Sequence, residues 1–215
     1  MGTARSEDYP RWSLAIVTAP TTEPVTLTEA KNNLRVIHTR DDDEIEDVLI
    51  PAARQWCESY TRRTFITTAY KLFLERFPRS DDTWGPYHYG QILLPRPPRI
   101  GAVATVLTYT DTDGTSQTFA TTKYRVTSGD EPTRVEPAYG QTWPSTRTQS
   151  EAINFTWSGG YGAASTVPAA IKSAILMMVA SMYAYKESEI TGTIISDVGF
   201  NVQARLSPYV LGWEF

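Results

Sequence analysis

Residues 158–187 read SGGYGAASTVPAAIKSAILMMVASMYAYKE, a glycine-rich turn that runs through Pro168 into a long apolar segment. Three readings compete for it: a phosphate cradle, a membrane span, or a buried helix. A phosphate loop needs Lys followed by Ser or Thr at the helix start, and after Gly162 the chain offers AASTVP instead. A dinucleotide fingerprint needs a third glycine, and Ser165 stands in its place. A membrane span needs about 20 apolar residues. Only residues 173–185 separate Lys172 from Lys186, and Ser173 and Ser181 lie among them. What remains is a helix, with Thr166 expected as its cap and Pro168 in its first turn. Ile171, Ile175, Met178, Met182 and Tyr185 fall on one side, and Leu176, Val179 and Tyr183 on others. A helix apolar around most of its circumference needs neighbours on several sides.

Upstream, Thr26-Leu27-Thr28-Glu29 has the spacing of a capping box and predicts a short helix to about Val36. In the following stretch Ile45, Val48, Leu49, Ala52, Ala53, Trp56, Cys57 and Tyr60 recur at helical spacing. Pro51 lies inside that pattern and lacks an amide donor, which predicts a kink or break near Asp47. The acidic run Asp41 to Glu44 is read as the first turn of this helix, where carboxylates favour the dipole, in preference to a metal site.

From Thr64 to about Ser158 the composition turns to Thr, Val, Tyr and Phe punctuated by Pro and Gly, which marks a β region. Strands are expected over residues 67–76, 91–94, 102–110, 116–120, 124–127, 133–136 and 152–157. Asp113-Gly114 fits a type I′ hairpin turn. Two polar loops, 81–90 and 138–149, carry the aromatics Trp84, Tyr87, Tyr89, Tyr139 and Trp143, expected to be exposed and available for contacts.

The predicted class is therefore α+β: a small helical bundle with an inserted antiparallel β region and an extended C-terminal tail. The expected organisation is an N-terminal arm (1–25), a helical part (26–63), the β insertion (64–158), the central helix (159–187) and the tail (188–215). The 215 residues, 41% hydrophobic and 12% aromatic, suffice for a real core.

Against 24 acidic side chains stand 20 basic ones, and a net charge of −4 gives no electrostatic footprint for gripping DNA. Cys57 is the single cysteine, so no intrachain disulfide or thiolate cluster forms, which fits a reducing cytoplasm. The start MGTARSEDYPRWS lacks the pattern of a secretory signal. Catalytic material is thin: His38 and His88 sit in unrelated contexts without zinc spacing, and no G-x-S-x-G elbow occurs. Asp111-Thr112-Asp113-Gly114 starts like a calcium loop, but its glycine comes early and the distal Glu is missing. No catalytic residue, metal or cofactor is expected.

Five segments in order, EPVTLTEAKNNLRV, DDDEIEDVLIPAARQWCESYTRRTFIT, ILLPRPPRIGAVATVLTYTDTDGT, YRVTSGDEPTRVEPAYGQTWPSTR and INFTWSGGYGAASTVPAAIKSAILMMVASMYAYKE, resemble the head-tail connector, or adaptor, proteins of long-tailed bacteriophages and gene transfer particles. The resemblance implies a non-enzymatic virion structural protein, made in the bacterial host cytoplasm. It implies a ring of about twelve copies beneath the portal protein that extends the DNA channel and docks a stopper or tail terminator. DNA would pass without sequence-specific binding, and no membrane is involved.

In such adaptors the C-terminal segment reaches the portal, which singles out Leu206, Tyr209, Val210, Leu211, Trp213 and Phe215 as portal-binding candidates. Trp84, Tyr87, Tyr89, Tyr139 and Trp143 are the candidates for the ring-neighbour or tail-side surface. The alternatives are another neck protein, such as a stopper or tail-completion factor, and a nucleotide-binding enzyme built around the Gly160 turn.

Overall fold

The computed structural model describes residues 10–100, 106–127, 129–184 and 198–212. It is an α+β protein whose chain divides into two compact units. One joins Pro20–Ile66 to Tyr161–Leu211 and is helical; the other joins Met1–Ala19, Thr67–Gly160 and Gly212–Phe215 and is built of antiparallel strands.

The helical unit starts where the capping box predicts. In α1 (Leu27–Leu34) the Thr26 hydroxyl accepts from the Glu29 amide at 3.1 Å, and the Glu29 carboxylate accepts from the Thr26 amide at 2.7 Å. Thr26 thereby satisfies amides that the first turn leaves without helical partners. The next helical stretch runs through α2 (Asp42–Glu44), a π-helical turn (Ile45–Leu49) and α3 (Ile50–Thr61) without a break. Pro51 explains the π turn. Its ring displaces the carbonyl four residues back and it has no amide to give, so the chain widens by one residue and Ile50 donates to Ile45. The expected break near Asp47 is absorbed as a bulge.

The opening segment forms α4 (Ala169–Ala184), and α5 (Val198–Leu206) packs with it inside the same unit. Ile171, Ala174, Ile175, Met178 and Val179 of α4 are buried with Ile45, Ile50, Ala53, Cys57 and Phe65. Helix α5 comes from sequence in which no regular structure is expected; Val202 and Leu206, one helical turn apart, are both fully buried.

The start of α4 differs from expectation, while the acidic run opens its helix as expected. The Thr166 hydroxyl donates backward to the Tyr161 and Ala163 carbonyls, closing a 3₁₀ turn, and α4 begins on the Pro168 carbonyl, which accepts from Ile171 and Lys172. Asp42, Asp43 and Glu44 form the first helical turn; Asp41, just before it, makes no side-chain cap and accepts from the Tyr183 hydroxyl of α4, while Asp42 pairs with Lys31 of α1. The acidic run ties helices together through side chains. Tyr183, with Arg40 beside it, holds the Asp41 carboxyl down at about 2.

In the β unit one sheet has the order β1 (Trp12–Thr18), β2 (Thr68–Leu74), β9 (Ile153–Gly159), β5 (Val106–Thr110) and β6 (Ser116–Phe119). The other has β3 (Tyr87–His88), β4 (Gln91–Leu93), β8 (Arg134–Pro137) and β7 (Tyr124–Val126). Alternation fixes the register: Thr68, Tyr70, Leu72 and Leu74 of β2 face inward opposite Gly159, Trp157, Phe155 and Ile153 of β9. The stretch expected as an arm contributes β1, an edge strand paired with β2.

The β5–β6 hairpin is not type I′. Gly114 alone takes positive φ, and its amide donates to the Asp111 carbonyl, giving a three-residue turn with glycine at the left-handed position. The Asp111 carboxylate accepts from the Gln117 side chain and from the Thr115 and Asp113 amides, which holds its carboxyl below the usual range. Those bonds account for the calcium-like spelling. The glycine turn of residues 158–162 is likewise structural. Gly160 and Gly162 take positive φ, and a Cβ on Gly159 would come within 2.9 Å of the Arg96 carbonyl.

Candidate interaction surfaces

Two long loops of the β unit are fastened to each other. Arg76 grips Asp82 with two bonds of 2.7 Å, and the Asp82 carboxylate also accepts the Arg79 amide, closing the first loop upon itself. From the second loop, the Trp143 indole donates to the Gly90 carbonyl at 2.7 Å and stacks on Phe77 with ring centroids 4.7 Å apart. Trp143 is thus an anchor, half-buried. Trp84, Tyr89 and Tyr139 are exposed, Tyr139 completely.

Tyr87 corrects the expectation of an exposed ring. It is fully buried; its hydroxyl accepts from the Glu75 amide at 3.0 Å and donates to the Arg11 carbonyl at 2.9 Å. Burial pushes the phenol up to about 12. An aromatic in a polar loop has no periodicity by which sequence could assign it to the interior.

The C-terminal candidates separate in the same way. Leu206 and Leu211 are buried, at 0% and 4% exposure, and Tyr209 packs half-buried against the helical core. The Arg63 guanidinium donates to the Tyr209 carbonyl, and the Leu211 amide donates to the Thr61 carbonyl at 3.0 Å. These bonds lay the segment along the end of α3. Leu206 and Leu211 are therefore not available as free anchors; they seat the segment on its own subunit. Val210, 39% exposed, points to solvent. Trp213 and Phe215 lie outside the described residues.

The histidines serve local packing. His38 stands 3.9 Å from Asp41, and His88 packs edge-on against Tyr89, with burial, aided by Arg134, lowering its imidazole from the ordinary value. Among the described residues no cluster of three or more His, Cys, Asp or Glu could hold a metal ion, and no helix is long and apolar enough to cross a membrane.

Some exposed apolar residues depart from the sequence reading. Val48, expected on the apolar helical face, is exposed on the π turn, because the bulge shifts its direction; Ile16 and Val17 on β1, and Ile37, 96% exposed in the loop between α1 and α2, had not been singled out. The available signal was an isoleucine between Arg35 and Arg40 in a short interhelical loop.

Among solved structures the fold recurs in chains of gene transfer agent particles. The chain superposes on a protein of the neck of an empty gene transfer agent particle computed with C6 symmetry, with a TM-score of 0.73 at 19% identity, covering 94% of this chain and 97% of that one. It is similar to a chain of the virion of the native gene transfer agent particle, with a TM-score of 0.71, 20% identity and the same coverage. A third similar chain, from the neck of the native particle computed with C12 symmetry, gives 0.64 at 19% identity, again over 94% and 97%. No family model and no curated protein sequence matches. At such identities the shared property is the fold, over nearly the whole length of both chains.

Proposed function

We propose that the chain is a virion structural protein of the neck of a phage-like particle. In this reading it is a head-tail adaptor, forming a ring of about twelve copies beneath the portal protein. The observation that carries the proposal is the likeness, over 94% of this chain and 97% of each of those, to chains of the neck and virion of the gene transfer agent. Its role is mechanical. Each copy extends the DNA channel and offers a surface to a stopper or tail terminator, and many modest contacts add up through effective concentration around the ring.

On this reading the exposed Trp84, Tyr89 and Tyr139, carried on loops that Trp143 fastens, suit a ring-neighbour or tail-side surface. The C-terminal segment is held at Tyr209 and Leu211 and leaves Val210 exposed, which suits Val210 as a portal contact, with Trp213 and Phe215 as further candidates by sequence.

Reconstruction of the neck of particles that carry this chain tests the proposal. Density for it in a ring directly beneath the portal is expected; density only in a stopper or tail-completion position defeats the adaptor assignment. Removing Trp213 to Phe215 leaves Leu211 in place, so the truncated chain is expected to fold but to be missing from the neck. Normal tailed particles from that truncation refute the portal role of the segment.

A further inference from the structure

We infer that the loop between α1 and α2 and a groove at the other end of α1 are the two halves of one subunit contact, each copy seating its loop in the groove of the next. The inference rests on the neck-ring reading and names a contact on which such a ring would close.

The groove measures about 560 Å³ and lies wholly in the helical unit. Val25 and Ile50, both buried, and the half-buried Leu27 and Pro51 form its apolar base, and the exposed Glu46 and Asp47 stand at its edge. Neither carboxylate joins an ion pair among the described residues. The Pro51 bulge shapes this wall, because it re-aims the turn that carries Glu46 and Asp47.

The loop has the opposite character. Arg35 caps α1 in the left-handed conformation, with φ of 58°, and has no ion pair among the described residues. Two residues on, Ile37 is 96% exposed. The loop is held in shape: the Lys31 ammonium donates to the His38 carbonyl at 2.7 Å, and Arg40 bonds Asp41 at 3.0 Å. A preformed loop that presents one isoleucine loses little freedom on docking. Apolar tip meets apolar base, and Arg35 meets Glu46 and Asp47.

The two features do not pair within one copy: Arg35 makes no ion pair with Glu46 or Asp47. The loop follows the C-terminal end of α1 and the groove includes its N-terminal cap, so the eight-residue helix, about 12 Å long, separates them. Two displaced, complementary patches define a head-to-tail contact, which generates a ring when the rotation closes. The occupant of the groove is therefore a second copy of this chain.

The test uses the full chain carrying Ile37→Cys and Thr22→Cys, the latter at an exposed position lining the groove. Cys57 is buried and does not compete, and the new thiols sit beyond disulfide reach within one copy. Mild oxidation of concentrated protein, and of purified particles, is expected to give a reducible ladder of multimers. Adding Arg35→Glu, or Glu46→Lys with Asp47→Lys, lowers its yield about tenfold. Mixing those two charge variants restores it, since each loop then finds a groove of opposite sign.

A ladder insensitive to charge, one equally strong when Val17→Cys replaces Thr22→Cys, or none in either preparation overturns the inference. A neck reconstruction separates the two levels. A ring whose copies meet through other faces sinks this contact and keeps the neck reading; absence of the chain from the neck sinks the reading, while a charge-dependent ladder still stands as a contact between copies.

Discussion

Replacing Arg54 by methionine removes a cation from the interior of the helical unit and leaves its carboxylates behind. Arg54 is 8% exposed and donates to Glu23 at 2.7 and 3.2 Å and to Glu58 at 2.8 Å. Glu58 spends its other oxygen on the Phe65 amide at 2.7 Å, so one network joins the segment before α1, helix α3 and the exit after it. Burial by itself disfavours the guanidinium charge, but the bond to Glu23 and the field of Glu58 more than offset it, and the group is held above its ordinary value.

Removing one partner of a buried pair costs about 3–5 kcal/mol. The Glu23 side chain is 25% exposed and is partly solvated without its cation, which places the loss near the lower end, about 3 kcal/mol. For a chain of this size that lowers the melting temperature by roughly 6–12 °C. Urea and thermal unfolding followed by circular dichroism measure it. A variant within about 0.5 kcal/mol of the parent refutes the network.

Pro51→Ala restores an amide where the helix has already widened to do without one. The gain is expected to stay below about 1 kcal/mol, against the roughly 3 kcal/mol that removing a proline from a regular helix gives; a gain of the larger size in urea unfolding means the π turn is strained. Cys57 is fully buried, and burial pushes its thiol up to about 12. It is expected to resist a thiol reagent at neutral pH until the helical unit unfolds, and immediate full reaction of native protein contradicts the packing. The folded chain keeps this proton while the unfolded chain releases it above its ordinary value of 9.0, so stability falls as pH rises from there toward 12.

The helical and strand framework was legible because burial imposes a period. Residues 68–74 alternate strictly and β2 occupies them, and Thr26 and Glu29 sit at the spacing that capping demands. The features that escaped carry weak periods. β1 has only Trp12 and Leu14 partly covered before it becomes exposed, so its alternation does not stand out from a polar arm. Among its described side chains, helix α5 places Val202 and Leu206 in the core, two apolar positions that a tail can also contain. Pro51 gave the location of a disturbance but not its π-helical form, because sequence shows a missing amide but not that five residues can re-register around it.

The candidate surface was harder to read for a different reason. Apolarity shows that a side chain must be covered but not by which copy. Within one short stretch Leu206 and Leu211 are covered by their own subunit while Val210 faces solvent, and within one loop Tyr87 is buried while Tyr89 is exposed. Only the folded subunit separates these pairs. Once it has done so, the residues still uncovered are the informative ones. An isoleucine 96% exposed on a braced loop is a poor choice for an isolated monomer, and it lies one helix length from a groove of matching chemistry. On the neck-ring reading, that pairing is the point at which an ordinary α+β subunit acquires the direction a ring requires.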